Sequence, residues 1–328
     1  MIVRLPSPPT PAPKNTEMTN RPTAVFAMSP ENLPLLFPPR VMKRLSELVD
    51  IGSFDEPSAA DYLVTSWGCP PIDQQVLDRM PRLRAILHAA GTVRGFVTDA
   101  CWDRGLLVSS AAHANAIPVA EYTLSAILLS GKRAFNREPS NDNVGNFRRR
   151  VGVIGASRVG RRLLELLRPF DLAVSLSDPY VTPAEAKTLG ATLLPLDELL
   201  STSDIVTLHA PDLPATYRML DCRRLALIPD GATLINTSRG ALIDPVALTD
   251  ELVSGRLNAV LDVTEPEPLP PDSPLHRLPN VFLTPHIAGS LGNELERLGA
   301  AVVAEIERLV HGLPLRHQVL RADLERVA

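Results

Sequence analysis

The sequence predicts an α/β protein with parallel sheets divided between two domains, and three observations support this prediction. The 328 residues are enough for two hydrophobic cores, since chains above about 250–300 residues usually divide into domains. Short apolar runs alternate with helical stretches along most of the chain, which is the pattern of β-α-β units. Residues 136–147, rich in Asn, Gly and Pro, interrupt this alternation and indicate a boundary.

The chain begins with a segment that has neither helical nor strand periodicity. Six prolines fall within residues 1–22, and the apolar core and cleavage site of a secretory signal are missing. We therefore expect residues 1–23 to form a disordered, proline-rich tail.

The next segment predicts one α/β unit. Apolar runs indicate four strands, at residues 24–28, 62–66, 84–89 and 107–110. Helical periodicity indicates helices at residues 40–49 and 73–80, and residues 117–132 predict one long helix that leads to the boundary.

Beyond the boundary the alternation becomes regular. Apolar runs spaced about 20–30 residues apart, the length of a strand, a helix and two loops, predict parallel strands. There are six such runs, at residues 151–154, 173–177, 205–208, 233–235, 260–261 and 281–283. An amphipathic helix at residues 294–310 closes the pattern.

Charge and cysteine content restrict the possible partners and location. A net charge of −4 gives no basic surface for nucleic acid, and no apolar run approaches the roughly 20 residues of a membrane helix. Neither partner is expected. Cys69, Cys101 and Cys222 are scattered and do not show metal-ligand spacing, so we expect reduced thiols, no metal site and a cytoplasmic protein.

The first predicted strand after the boundary ends in a glycine-containing loop. Gly155, Ser157 and Gly160 occupy the three glycine positions of G-x-G-x-x-G, a loop that binds the pyrophosphate of dinucleotides. Serine replaces the second glycine, and its hydroxyl group is a possible donor to a phosphate oxygen. We expect the pyrophosphate on the amides of Arg158 and Val159, at the helix N-terminus. A purely structural strand-to-helix turn remains the alternative.

An acidic residue at the end of the next strand favours NAD as the dinucleotide. Asp178 lies 18 residues beyond Gly160, where a carboxylate accepts hydrogen bonds from the adenosine ribose and repels a 2′-phosphate. NADP remains an alternative cofactor, because Arg158, Arg161 and Arg162 are cations that could bind its 2′-phosphate. Because Asp178 precedes a proline, a simple turn-forming role is the other interpretation.

Polar residues follow each of the six predicted strands, at the edge where open α/β sheets bind ligands. In chain order they are Ser157, Asp178, His209, Arg239, Asp262 and His286, with Glu267 five residues past Asp262. A surface salt bridge, a helix cap or a solvated loop acid would explain any one of them. The combination of an arginine, a glutamate and a histidine at one edge instead predicts a catalytic site.

Several stretches of this sequence resemble the D-isomer specific 2-hydroxy acid dehydrogenase family. They are VAEYTL (residues 119–124), SDIVTLHAP (203–211), INTSRGALID (235–244), LDVTEPEPL (261–269) and TPHIAGS (284–290). The resemblance implies two Rossmann-like domains with doubly wound parallel sheets and a cleft between them. Residues 24–112 and 290–328 would form the substrate domain, and residues 113–289 the NAD-binding domain.

The resemblance also implies roles for individual residues. Arg239 would bind the substrate's carboxylate and carbonyl, His286 would be the acid/base, Glu267 its partner, and Asp262 would contact the nicotinamide end. Further cofactor contacts would come from His209, Ala210, Pro211, Thr237, Ser238 and Gly289. For His209, a wall beside the adenine and a simple strand end are equally open.

The implied reaction is hydride transfer between NAD(H) and a 2-hydroxy acid/2-oxo acid pair such as glyoxylate or hydroxypyruvate. The carbonyl oxygen must gain a proton during reduction, and a histidine stabilised by a carboxylate suits that task. Only arginine offers a planar fork that fixes a carboxylate and polarises the carbonyl. The backbone amides of Ala90, Gly91 and Thr92 would hold the substrate's carboxylate, although Gly91 is also explained by a turn alone. The sequence does not decide whether His88 lines the substrate pocket or packs in the core.

Two alternatives share the same scaffold. One is an NAD(H)-sensing binding protein of the corepressor type, against which the intact trio of Arg239, Glu267 and His286 argues. The other is a dehydrogenase of the formate or phosphite type. A regulated phosphoglycerate dehydrogenase is less expected because no regulatory domain follows Ala328, and a homodimer is implied by the resemblance alone.

Overall fold

The computed structural model describes residues 21–136 and 145–325. The predicted tail at residues 1–23 therefore lies almost wholly outside the described residues, as does most of the predicted boundary at residues 136–147. The described chain confirms the α/β prediction, with one parallel sheet of five strands and a second of seven.

The first sheet has the strand order β2-β1-β3-β4-β5. Its strands are β1 (Thr23–Ala27), β2 (Asp50–Ile51), β3 (Ala60–Thr65), β4 (Ala85–His88) and β5 (Leu107–Ser110). The helices between them are α1 (Leu33–Leu36), α2 (Pro39–Leu48), α3 (Gln74–Asp78) and α4 (Asp99–Asp103). Every residue of β3 and β4 is buried, as expected for parallel strands covered on both faces. The four predicted strands are present, and only the exposed two-residue edge strand β2 was not predicted.

The second sheet has the order β12-β11-β10-β9-β6-β7-β8. Its strands are β6 (Arg150–Ile154), β7 (Ala173–Ser177), β8 (Thr192–Leu193), β9 (Ile205–Leu208), β10 (Thr233–Asn236), β11 (Asn258–Leu261) and β12 (Val281–Leu283). Six of the seven match the predicted strands, and the two-residue strand β8 is the addition. The chain winds outward from β6 in both directions, so a topological switch point lies between β6 and β9, where such sheets bind ligands.

The helices of this half connect the parallel strands. They are α5 (Ala112–Ser130), α6 (Arg158–Leu167), α7 (Pro183–Thr188), α8 (Leu196–Thr202), α9 (Cys222–Leu225) and α10 (Pro245–Val253). The long helix α5 starts at residue 112, earlier than the predicted start at residue 117, and packs on α6. None of the helices described in the two ranges above combines the length and apolar character needed to span a membrane.

The end of the chain returns to the first sheet. The helix α11 (Leu295–Val310) buries Leu298, Val302 and Ile306, which repeat every four residues and pack with Leu36 and Leu45 in one core. The following segment pairs with β5, since Gln318 forms an antiparallel bridge to Ser109. Both ends of the chain thus contribute to the core of the first sheet.

Candidate active site

The dinucleotide loop has glycine where its backbone requires glycine. Gly155, after β6, has φ +96°, and a Cβ there would come within 2.7 Å of the Ala210 amide nitrogen. A Cβ on Gly160 would collide with the carbonyl oxygen of Gly155, so the third position must also be glycine for α6 to approach the strand. The loop therefore has the close backbone packing that the motif predicts.

Serine at the second position is compatible with this loop. Ser157 has φ −65° and ψ −178°, an extended conformation open to any residue, and its hydroxyl oxygen accepts a hydrogen bond from the Gly160 amide at 3.4 Å. Ser157 is therefore the N-cap of α6. In the described residues, no protein group accepts from the amides of Arg158 and Val159, and these donors fit an anion such as the expected pyrophosphate.

Asp178 fixes the same loop. Its Oδ2 accepts from the Ala156 amide at 2.7 Å and its Oδ1 accepts from the Tyr180 amide at 2.8 Å. Each carboxylate oxygen keeps a further lone pair, because an ionised carboxylate has about four acceptor sites. Asp178 is half-buried, so the structure combines a turn-forming role with an acceptor that remains accessible at the end of β7.

Two of the three arginines that left NADP open are already paired. Arg161 forms an ion pair with Glu185 at 2.8 Å, and Arg162 pairs with Glu165 at 3.0 Å. The side chain of Arg158 is exposed.

His209 lies beneath the loop rather than beside an open site. Its side chain is 2% exposed, and its Nε2 lies 3.0 Å from the hydroxyl group of Thr207. Burial lowers the pKa of His209 to about 3. Its Cβ would be 3.5 Å from a Cβ at Gly160, so the residue lies directly under the turn. The interpretation as an adenine wall is corrected in favour of packing. Of its neighbours, Ala210 is buried and Pro211 is half-buried.

A buried asparagine shapes the loop that presents Arg239. Asn236, the last residue of β10, is fully buried; its Nδ2 donates to the Arg239 carbonyl at 2.8 Å and its Oδ1 accepts from the Ser238 amide at 3.0 Å. Ser238 also donates to the Leu208 carbonyl at 2.7 Å, and Thr237 contacts Thr123 at 3.0 Å between hydroxyl oxygens. Arg239 is thereby held at the sheet edge by its backbone.

The guanidinium group of Arg239 remains available for a ligand. Its Nη1 donates to the Ser238 carbonyl at 2.7 Å, and no carboxylate in residues 21–136 or 145–325 lies within ion-pair distance. A surface salt bridge, the alternative role for Arg239, is therefore not found in the described chain.

The structure brings the histidine and glutamate of the predicted trio together. His286 Nδ1 lies 2.7 Å from Glu267 Oε1, and the two side chains are 49% and 42% exposed. His286 has φ +56°, a conformation that costs energy for a residue with a Cβ. Its amide donates to the carbonyls of Asp262 and Thr284 at 2.9 and 3.0 Å, which hold the turn. His286 is therefore neither a helix cap nor a buried core residue.

Asp262 organises the turn around His286. It is 2% exposed; its Oδ1 accepts from the Thr284 hydroxyl at 2.6 Å and the Ile287 amide at 2.8 Å, and its Oδ2 accepts from the Ala288 amide at 2.9 Å. One acceptor site, on Oδ2, remains. The predicted contact with the nicotinamide end would have to use this remaining acceptor site. The three hydrogen bonds show that Asp262 positions the turn.

Two residues of α5 that were not predicted contact this turn. The hydroxyl group of Tyr122 lies 2.8 Å from that of Thr284, and the Asn115 Oδ1 accepts from the Ser290 amide at 2.9 Å. A Cβ at Gly289 would come within 3.3 Å of the same Asn115 oxygen, so this glycine allows the helix to approach closely. Gly289 thus has a packing role in the structure. The motif VAEYTL contained the signal for Tyr122, but its partner lies 162 residues away.

The proposed substrate loop follows β4. Ala90 is buried, whereas Gly91 and Thr92 are half-buried. Gly91 has no positive φ, and a Cβ there would meet no atom within 4 Å, so neither a turn nor packing explains the glycine. His88 is a core residue: its Nδ1 lies 2.9 Å from the hydroxyl group of Thr65, and burial lowers its pKa to about 4. The open question about His88 is resolved in favour of packing.

Comparison with known proteins identifies the family. Residues 129–288 match the family model described as D-isomer specific 2-hydroxyacid dehydrogenase, NAD binding domain. The chain is 33% identical to the D-3-phosphoglycerate dehydrogenase of Mycobacterium tuberculosis over 267 residues, covering 78% of this chain and 50% of that protein. It is 30% identical to the same enzyme of Archaeoglobus fulgidus over 266 residues, covering 77% and 50%. The chain belongs to the D-isomer specific 2-hydroxyacid dehydrogenase family, and it spans about half the length of these relatives.

Solved structures agree with the fold described above. The TT0316 protein from Thermus thermophilus superposes with a TM-score of 0.72 at 26% identity, covering 91% of this chain and 100% of that one. The D-lactate dehydrogenase from Aquifex aeolicus, solved with NAD and lactic acid, gives a TM-score of 0.67 at 26% identity and covers 88% and 96%. The two Rossmann-like domains implied by the sequence are thereby confirmed.

Proposed function

We propose that this chain is an NAD-dependent D-2-hydroxy acid dehydrogenase that interconverts a small 2-oxo acid and the corresponding 2-hydroxy acid. The observation that carries the proposal is the 2.7 Å contact between His286 Nδ1 and Glu267 Oε1. This pair lies at the ligand-binding edge of the nucleotide sheet, where β10 also delivers an arginine without an acidic partner in the described chain. The dinucleotide loop after β6 ends at the same edge.

Each member of the trio has a chemical task. Glu267 orients the ring of His286 and stabilises its protonated form, which leaves Nε2 to deliver a proton to the substrate's oxygen. Arg239 holds the carboxylate of a 2-oxo acid with its planar fork and polarises the carbonyl group. The amides of Gly91 and Thr92, beside open space, complete the grip on that carboxylate.

The dinucleotide loop fits NAD. Bound NADH supplies the hydride that reduces the carbonyl carbon. Its pyrophosphate would be held by the amides of Arg158 and Val159, and its adenosine ribose by the remaining acceptor sites of Asp178. Of the three arginines considered, Arg161 and Arg162 would have to break ion pairs with glutamates to neutralise a 2′-phosphate, and only Arg158, at the expected pyrophosphate site, has no ion pair in the described chain. NAD is therefore proposed over NADP.

A panel of 2-oxo acids tests the activity. NADH oxidation is expected with at least one of glyoxylate, hydroxypyruvate or a bulkier 2-oxo acid. In His286→Gln, kcat should fall by about 10²- to 10⁴-fold, the usual contribution of a general acid, while the Kd for NADH stays within twofold. His276→Gln is the matched control, because this exposed histidine bonds only to the Pro270 carbonyl. NADH binding without reduction of any panel member would support the sensor alternative.

The remaining proposals concern assembly and location. We infer the domain division of residues 24–112 plus 290–328 and residues 113–289 from the two sheets and the return of α11. A homodimer rests on the family resemblance and is tested by light scattering during gel filtration, in which a monomeric mass would refute it. A cytoplasmic location is supported by three free cysteines in the structure.

A further inference from the structure

Two histidines outside the proposed catalytic trio stack face to face. His113 lies in the first turn of α5, and His317 lies in the segment after α11; their ring centroids are 3.4 Å apart with an interplanar angle of 13°. The pairing follows from the backbone. Gln318 bridges to Ser109, and the Val319 amide donates to the Val108 carbonyl at 2.8 Å. Because the segment runs antiparallel to β5, His317 lies near the point where β5 ends and α5 begins.

A buried carboxylate holds this segment in place. Glu305 of α11 is 3% exposed, and its two oxygens accept from the amides of Arg316 and His317, each at 2.9 Å. The backbone beneath the His317 ring is therefore anchored to the core of the first sheet. A histidine fixed in this way has a defined position and is not part of a free chain end.

Chain neighbours of the two histidines, Ser110 and Val319, line a small cavity to which both halves of the molecule contribute. Thr92 of the substrate loop, Ser110 at the end of β5, Arg158 at the start of α6 and Val319 all face it. Arg158 also lies close enough to both histidines to act on them electrostatically. The stack therefore lies on the side of the first sheet and faces the N-terminus of α6, where the pyrophosphate is expected.

The charges around the stack are mainly positive. Arg158, Arg316 and Arg308 act on it as cations, Glu305 is the acid that acts on His317, and Asp323 lines the cavity. Burial, then its neighbour His317 and Arg158, lowers the pKa of His113 to about 4, although the Ser110 carbonyl opposes this. The pKa of His317 is also lowered, chiefly by burial, with Glu305 opposing. Three arginines outnumber the two acids around the stack, so the cluster favours an additional anion.

We propose that His113 and His317, together with Arg158, form a second wall of the dinucleotide site that contacts the pyrophosphate and takes up one proton from solvent when the dinucleotide binds. The inference rests on the proposed function, since it requires NADH to bind at the loop after β6. It adds two residues, one from the C-terminal segment, to a site otherwise built from backbone amides.

The expected effect follows from linkage between proton and ligand binding. An opposite charge within about 4–6 Å shifts a pKa by about 1–3 units, and a shift of about two units from the value near 4 brings the pKa of His113 to about 6 in the complex. The association constant for NADH is then about tenfold larger at pH 5 than at pH 8. Repulsion between stacked imidazolium rings limits the uptake to one proton.

Isothermal titration calorimetry tests the proposal on the full chain. NADH and ADP-ribose are titrated at pH 5.5 in two buffers with different ionisation enthalpies, which gives the number of protons bound. Wild type should take up more than half a proton with either ligand. The double variant His113→Gln/His317→Gln should reduce the uptake to near zero and weaken binding several-fold at pH 5.5, with little change at pH 8, whereas each single variant keeps one ring that can titrate. The matched control His311→Gln, at an exposed residue after α11, should behave as wild type.

Three results would overturn the proposal. Equal uptake in wild type and the double variant would assign the proton elsewhere and leave the stack a packing feature. Uptake caused by glyoxylate or hydroxypyruvate without dinucleotide would assign the cations to the substrate. If wild type bound no NADH at any pH, the proposed function itself would fail and this inference with it, an outcome distinguishable from the first two.

Discussion

Replacing Asn236 with alanine should weaken both the fold and the grip on the substrate's carboxylate. The side chain is fully buried and makes two hydrogen bonds, to the Arg239 carbonyl at 2.8 Å and the Ser238 amide at 3.0 Å. Each bond contributes about 1 kcal/mol, and each partner left unsatisfied costs about 1–3 kcal/mol. The free energy of unfolding should therefore fall by about 2–4 kcal/mol, which urea denaturation measures.

The same substitution separates positioning from simple stability. Because the backbone of Arg239 loses its anchor, the KM for the best 2-oxo acid should rise at least about tenfold, while the Kd for NADH stays within twofold. Asn236→Asp keeps the acceptor for the Ser238 amide but removes the donor to the Arg239 carbonyl, so it should raise the KM at least as much as alanine does. If Asn236→Ala lost stability with an unchanged KM, the idea that Asn236 positions Arg239 would be refuted.

Three further predictions concern Ser157, His286 and the two buried histidines. Ser157→Gly should not tighten NADH binding, because the serine backbone is already extended; it should cost a few tenths of a kcal/mol of stability through the weaker N-cap, and a lower Kd by titration would contradict this. His286→Asn should abolish turnover yet retain or raise the melting temperature, because asparagine tolerates φ +56° better; a fall of more than about 1 kcal/mol in stability would contradict it. Burial lowers the folded-state pKa of His88 to about 4 and that of His209 to about 3, below the unfolded value near 6.5, so the folded state binds fewer protons and stability falls as the pH drops from 6.5 toward 4. At pH 5 each histidine should cost about 2 kcal/mol relative to pH 7.5, and His88→Gln should flatten the pH profile of the melting temperature.

Eight of the ten strands that sequence analysis predicted have most or all of their residues buried, which produces an apolar run, whereas β7 and β12 bury one residue each. The strands it did not predict, β2 and β8, have two residues each at a sheet edge, and no apolar run marks them. The start of α5 was placed too late, because its first turn contains alanine, histidine and asparagine rather than an apolar period. Boundaries set by tertiary packing leave little trace in local sequence.

Sequence analysis predicted the site residues whose role is indicated by the local motif that contains them. The contact between His286 and Glu267 was expected from residues 19 apart in the chain. His209 was open to two interpretations, because a polar residue at a strand end can point inward or outward, and its burial decides between them. Asn115 was not predicted, because its partner Ser290 lies 175 residues away and no pattern joins the two.

The contacts of α5 explain why such distant partners converge. Its first turn carries His113, which stacks on the C-terminal segment, and Asn115, which binds the Ser290 amide. Two turns further, about 11 Å along the axis, Tyr122 contacts the turn of His286 and Thr123 contacts the loop of Arg239. One helix therefore touches the loops after β10 and β12 and the segment paired with β5. Because these contacts lie on one helix, a displacement of α5 would move the proposed proton donor, the carboxylate-binding arginine and the histidine stack together.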